Sequence, residues 1–128
     1  MKTQNAVNWF ELPVRDMERA QRFYETVLGA KLRAELFGGK PNAIFPYLDG
    51  VGGALVQDAQ LKPTADGAVV YLNANGRLDD CLKRIEAAGG KVLLPKTDIG
   101  APGFIAMMLD TEGNRVGLHD PRPAAARG

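Results

Sequence analysis

The sequence predicts an α+β protein made of two tandem βαβββ modules, and three observations carry that prediction. Residues 8–29 run as an alternating strand, a turn and an amphipathic helix closed by glycine; residues 68–90 repeat the arrangement; three further strand-like stretches follow each copy. An offset of 60 aligns the copies, pairing Lys31 with Lys91, Gly53 with Gly113 and Val56 with Val116, and within the helices the offset is 61. Only two copies exist and each needs the other to bury its sheet, so the chain reads as one two-module domain over 1–128 rather than a solenoid.

The first strand begins at Ala6. Val7, Trp9 and Glu11 fall on one face and Asn8, Phe10 and Leu12 on the other, and the strand should stop near Val14 because Pro13 cannot donate to a central ladder. Asp16 is the expected N-cap of the helix and Glu18 complements its dipole. Met17, Ala20, Tyr24, Val27 and Leu28 form its apolar stripe, and Gly29 supplies the left-handed stop. Strands are expected over 31–37 and 43–48, with residues 38–42 as the hairpin loop and Pro46 marking an edge or bulged position. The last strand of this half spans 51–57, where Gly52-Gly53 implies a bulge or a close backbone approach. Module one thus covers 6–58, and the aperiodic stretch 59–66 is a linker.

Module two covers 67–119. It opens with a strand over 68–73, turns at Asn75-Gly76, and continues into a helix with Leu78, Cys81, Leu82 and Ile85 at helical spacing, ended by Gly89-Gly90. Strands over 91–96, 104–109 and 115–119 follow, separated by a Pro/Gly loop over 98–103 and a turn over 110–114; residues 120–128 are a tail.

Sixteen basic and fifteen acidic residues, scattered along the chain, leave no electrostatic footprint for nucleic acid or a membrane surface. With one cysteine, Cys81, and one histidine, His119, neither an internal disulfide nor a two-histidine metal site can be built from one chain. No long apolar run is present, so the expectation is a cytoplasmic protein. Cys81 lies on the apolar stripe of the second helix and reads as a small hydrophobe, and no glycine run has the strand-to-helix placement of a phosphate loop.

The doubled plan, with Val14-Arg15-Asp16, Phe23-Tyr24 and Leu28-Gly29 opening it and Asp110 to Val116 closing it, resembles the vicinal oxygen chelate superfamily of glyoxalases, bleomycin-resistance proteins and extradiol dioxygenases. The resemblance implies a curved, incomplete mixed β-barrel around a cleft, often within a homodimer. It also implies a divalent metal held by first and last strands, acting as a Lewis acid on vicinal substrate oxygens. The implied ligand positions are Trp9, Val69, Gly117 and Gln57; only Gln57 carries a donor, a weak neutral oxygen, so no metal or other cofactor is expected.

Strand parity then lines the cleft with Trp9, Glu11, Val69, Tyr71, Gly117 and His119, joined by Tyr47, Gln57, Phe104 and Met107, an apolar and aromatic concavity suited to a small molecule. Glu11 reads either as a desolvated general base or as an ion-pair partner of Arg115, and His119 either as its catalytic partner or as an exposed or capping residue. Two functions follow: a binding protein for an aromatic or amphipathic small molecule, and a glyoxalase-related lyase or isomerase working by acid/base chemistry through Glu11. The expected partners are that small molecule and a second copy of the chain, with no nucleic acid and no membrane.

Overall fold

The computed structural model describes residues 5–121. Its elements are β1 (Trp9–Pro13), α1 (Met17–Leu28), β2 (Arg33–Phe37), β3 (Lys40–Ile44), β4 (Gly52–Val56), β5 (Tyr71–Asn73), α2 (Leu78–Arg84), β6 (Lys91–Asp98), β7 (Phe104–Leu109) and β8 (Arg115–Asp120). They form two four-stranded mixed sheets, β1-β4-β3-β2 and β5-β8-β7-β6, one from each module, with no closed barrel among the described residues. In each sheet the first strand pairs in parallel with the last strand of its own module, the helix serving within the crossover, so β1 and β5 are both outer strands.

The first helix forms as its sequence dictates. Asp16 is extended at φ −133° and its carboxylate accepts the Arg19 N–H at 3.2 Å; at the other end Gly29 is left-handed at φ 66° and donates to Glu25 O at 3.0 Å. Its buried face is wider than the expected stripe, because Phe23 is as buried as Tyr24 and packs against Gly90 of module two. A Cβ at Gly90 would stand 2.6 Å from the Phe23 ring, so a glycine is needed for that approach.

Several boundaries differ from expectation, each for a local reason. Gly38 and Gly39 both have positive φ, 59° and 77°, which makes a two-residue hairpin turn and draws Lys40, Pro41 and Asn42 out of the loop into β3. Pro46 lies beyond β3 rather than inside it, the ladder ending with the Phe45 N–H to Gly53 O bond. Gly52 and Gly53 are neither bulged nor met by backbone: aromatic rings, Tyr47 over Gly52 and Phe10 over Gly53, occupy the space their side chains would need. β6 runs on to Asp98 through irregular register around Leu94, an outer strand that tolerates Pro95, and β8 extends to Asp120, so the tail begins later than expected. Residues 1–4, and residues 122–128 of the tail expected over 120–128, lie outside the described residues.

One core cluster unites the modules: Leu12, Tyr24, Val27 and Leu55 from the first pack in the same cluster as Leu72, Leu78, Ile85, Met108 and Leu118 from the second. Polar contacts from module two then close both ends of α1. The Glu112 carboxylate accepts the Arg15 and Asp16 N–H groups at 2.8 and 2.9 Å and is clasped by the Arg19 guanidinium at 2.8 and 3.0 Å. Burial raises the Glu112 pKa, but the bonds from Arg19, the Asp16 amide, Thr111 and the Arg15 amide outweigh it and hold the carboxyl down at about 2. The Tyr24 hydroxyl donates to Asp110 at 2.6 Å, and Asn114 donates to Pro13 O at 2.8 Å. At the far end Arg77 and Arg84, both on the second module, donate to Leu28 O and Val27 O at 2.7 and 3.3 Å; α1 has no basic residue in its own last turn. The turn over 110–114 and α2 therefore set how the two sheets meet.

Candidate functional site

Each sheet has a face turned away from the helices, and strand register places the expected cleft residues on it. In module one Glu11, Ala54 and Ile44 are register partners across β1, β4 and β3; in module two the row is Tyr71, Gly117 and Met107, and the next is Asn73, His119 and Ile105. A separate apolar cluster of Ile44, Ala54 and Val56 confirms that this face of the first sheet is distinct from the main core. Trp9 is 39% exposed there and meets Tyr47 edge-on at 6.0 Å, while Tyr71 is exposed beside Gly117.

Several expected residues stand elsewhere or in other surroundings. Phe104 shares parity with Ala106 and Met108, packs against the main core and lies under Lys96 Nζ at 4.7 Å from its ring; Phe104 and Met107 have opposite parity and cannot line one face together. Gln57 turns to the start of α1, where its Oε1 accepts the Met17 N–H at 2.8 Å. Glu11 is exposed, because β1 is an outer strand and not a central one; the desolvation expected of it is absent, and it pairs with neither Arg115 nor any other cation among the described residues. His119 is half-buried on the cleft face, and its Nε2 donates to Pro102 O at 2.7 Å, which leaves Nδ1 as the acceptor of the neutral ring.

The register also corrects the repeat. The Val14 N–H to Val56 O bond of module one is matched by the Ala74 N–H to His119 O bond of module two, so the last strands are offset by 63 and the counterpart of Gly117 is Ala54, not Gln57. The implied metal positions are then Trp9, Val69, Gly117 and Ala54, none with a donor side chain, and the Tyr71 ring fills the space a side chain at Gly117 would need, 2.3 Å from its Cβ. Among the described residues no group of three His, Cys, Asp or Glu side chains is placed to hold an ion. These residues do not fit the divalent metal that the resemblance implies.

A cavity between the modules has walls from both outer strands, β1 and β5. It measures about 620 Å³ and takes walls from both modules: Val7, Phe10, Phe45 and Val51 from the first, Val69 through Asn73 from the second. Val69 and Tyr71 were expected at a cleft, and Val7 shares the strand face of Trp9 and Glu11. Phe10, Leu72 and Arg77 were not expected there, since parity assigned Phe10 to the face opposite Trp9 and Glu11 and no pattern in the chain reveals that β1 and β5 wall one cavity. Among the described residues no helix is long and apolar enough to cross a membrane.

Comparisons with known proteins agree with this fold. The chain is 29% identical over 126 residues to "Putative glyoxylase CFP32" of Mycobacterium bovis, a match covering 90% of this chain but 45% of that protein; the Mycobacterium tuberculosis protein of the same name matches equally. The chain thus spans about half the length of those relatives. Among solved structures, a glyoxalase/bleomycin resistance protein from Albidiferax ferrireducens superposes with a TM-score of 0.70 at 16% identity, covering 93% of this chain and 100% of that one. A glyoxalase-related enzyme from Fulvimarina pelagi gives 0.68 at 17%, covering 94% of each. At such identities these likenesses show the fold alone. The family model of the Glyoxalase/Bleomycin resistance protein/Dioxygenase superfamily matches residues 6–118, and with the paired βαβββ sheets already described it establishes that this chain belongs to that superfamily.

Proposed function

We propose that the protein binds an aromatic or amphipathic small molecule at the junction of its two modules and performs no metal-dependent chemistry there. The observation that carries this reading is the cavity of about 620 Å³ at the β1/β5 seam, within the size range of small-molecule sites and lined mainly by apolar and aromatic side chains with Tyr71, Asn73 and Arg77 as polar groups. The donor-free side chains at the implied metal positions support it, and one of them, Val69, is part of the cavity wall. Nothing in the surroundings of Glu11 favours the acid/base alternative: it is exposed, and His119 is tied to Pro102 O.

A homodimer belongs to the same proposal. Trp9 and Tyr71 stand exposed on the open sheet faces, with Tyr47 of the β3–β4 loop exposed beside Trp9, and a second copy would cover them. A cytoplasmic setting suits the free, buried Cys81 thiol.

Titration with N-phenyl-1-naphthylamine, a neutral aromatic fluorophore, tests the reading. We expect saturable binding of one molecule per chain, weakened at least about tenfold by Val69→Trp, which fills the cavity, and changed less than about twofold by Glu11→Gln. Binding that is unsaturable, or indifferent to Val69→Trp in a folded variant, would sink it.

A further inference from the structure

Among the described residues that line the seam cavity, Arg77 is the sole ionisable cation and none is an Asp or Glu. Its position is fixed by the fold. Nη1 donates to Leu28 O and Nη2 to Asn73 O, both at 2.7 Å, so the guanidinium is held by a backbone carbonyl from each module. Two of its five N–H groups are used in this way, and both acceptors are neutral. Among the described residues Arg77 forms no ion pair; Asp120, on the adjacent strand, accepts the Gly76 N–H at 3.1 Å instead. The other arginine that reaches α1, Arg84, does not line the cavity.

We infer that the cavity selects an amphipathic monoanion, a carboxylate on an aromatic or aliphatic body, with Arg77 at the mouth receiving the carboxylate and the Phe10, Phe45, Val70 and Leu72 side chains taking the apolar part. This rests on the small-molecule reading above and deepens it. The physical argument is one of charge and rigidity. An ammonium ligand would meet a like charge with no acid among the described lining residues to offset it, and a neutral ligand would leave the guanidinium's remaining donors to water. A carboxylate gains charge-assisted hydrogen bonds from a group already immobilised, so little side-chain entropy is lost on binding. Because Arg77 is exposed to solvent, the preference is moderate and falls as salt is added.

Displacement of N-phenyl-1-naphthylamine by three probes on the same four-carbon phenyl chain, 4-phenylbutyrate, its isosteric amide 4-phenylbutyramide, and 4-phenylbutylamine, is the test. At low ionic strength the carboxylate should bind about tenfold more tightly than the amide, and the amine most weakly. Arg77→Gln should bring the carboxylate down to the affinity of the amide while leaving the amide itself within about twofold, which also reports that the cavity is intact. Arg77→Lys should retain part of the preference, and Arg84→Gln, which removes a different contact to α1, should retain all of it. Equal binding of carboxylate and amide by the natural protein, or a preference that survives Arg77→Gln, overturns the anion assignment while small-molecule binding stands. Failure of the fluorophore and all three probes to bind overturns the small-molecule reading itself.

Discussion

Glu112 is a residue whose role no local pattern announces. It sits in a five-residue turn of module two, yet its carboxylate accepts two backbone amides at the start of α1 and a bidentate Arg19. Its carboxyl is held at about 2 against an ordinary value of 4.5, so the stabilisation it gives is fully present above about pH 4.5 and is lost as pH falls toward 2; the shift corresponds to about 3 kcal/mol. Glu112→Gln should therefore lower stability at pH 7 by about 2–3 kcal/mol in urea unfolding, with the gap to the natural protein closing between pH 5 and pH 2. A constant gap across that range would assign its effect to packing instead. Gly53 illustrates a second kind of constraint. An alanine Cβ would stand 2.2 Å from the Phe10 ring, so Gly53→Ala should cost about 1–3 kcal/mol, and combining it with Phe10→Ala should cost less than the sum of the two single changes. Strict additivity in denaturation midpoints would contradict that contact.

At the scale of elements, α1 draws its two ends from different sources. Asp16 and Gly29 are local caps, legible from sequence, while Glu112, Arg77 and Arg84 come from the other module. Asp16→Ala should cost about 1 kcal/mol, as the loss of an N-cap does, and Arg84→Gln about 0.5–1.5 kcal/mol although it lies on a different helix. Comparing the thermal midpoints of the two variants with the natural protein checks both, and an Arg84→Gln variant as stable as the parent would show that Val27 O is satisfied by water instead. The strands follow the same division. β7 and the end of β2 at Phe37 could be read from alternation and turn glycines, but the shortening of the first hairpin to Gly38-Gly39 depended on both glycines taking positive φ, which composition permits without requiring.

For the whole molecule, the open faces of the sheets dominate. Trp9, the single tryptophan, is 39% exposed on one of them, with Tyr47 and Tyr71 also uncovered. If a second copy covers these faces, sedimentation should give twice the chain mass at micromolar concentration, and acrylamide quenching of Trp9 should weaken as protein concentration rises through the dimer dissociation constant. A monomer at all concentrations, with unchanged quenching, would leave the faces open to solvent and remove the dimer from the proposed function.

The sequence by itself determined the modular repeat, the capped first helix, the family, and that Trp9, Val69 and Gly117 carry no metal-donor side chain, because these depend on periodicity and residue type, which are local. Tertiary structure alone decided that β1 is an outer strand, which exposes Glu11; that Phe104 faces the core; that Gln57 caps α1; that Ala54 is the partner of Gly117; and that Arg77 stands at a cavity between modules. Each of these turns on which strands are neighbours and in what register. Strand order and register are set by the joint burial of two sheets and two helices in one core, and no window of the chain contains that information.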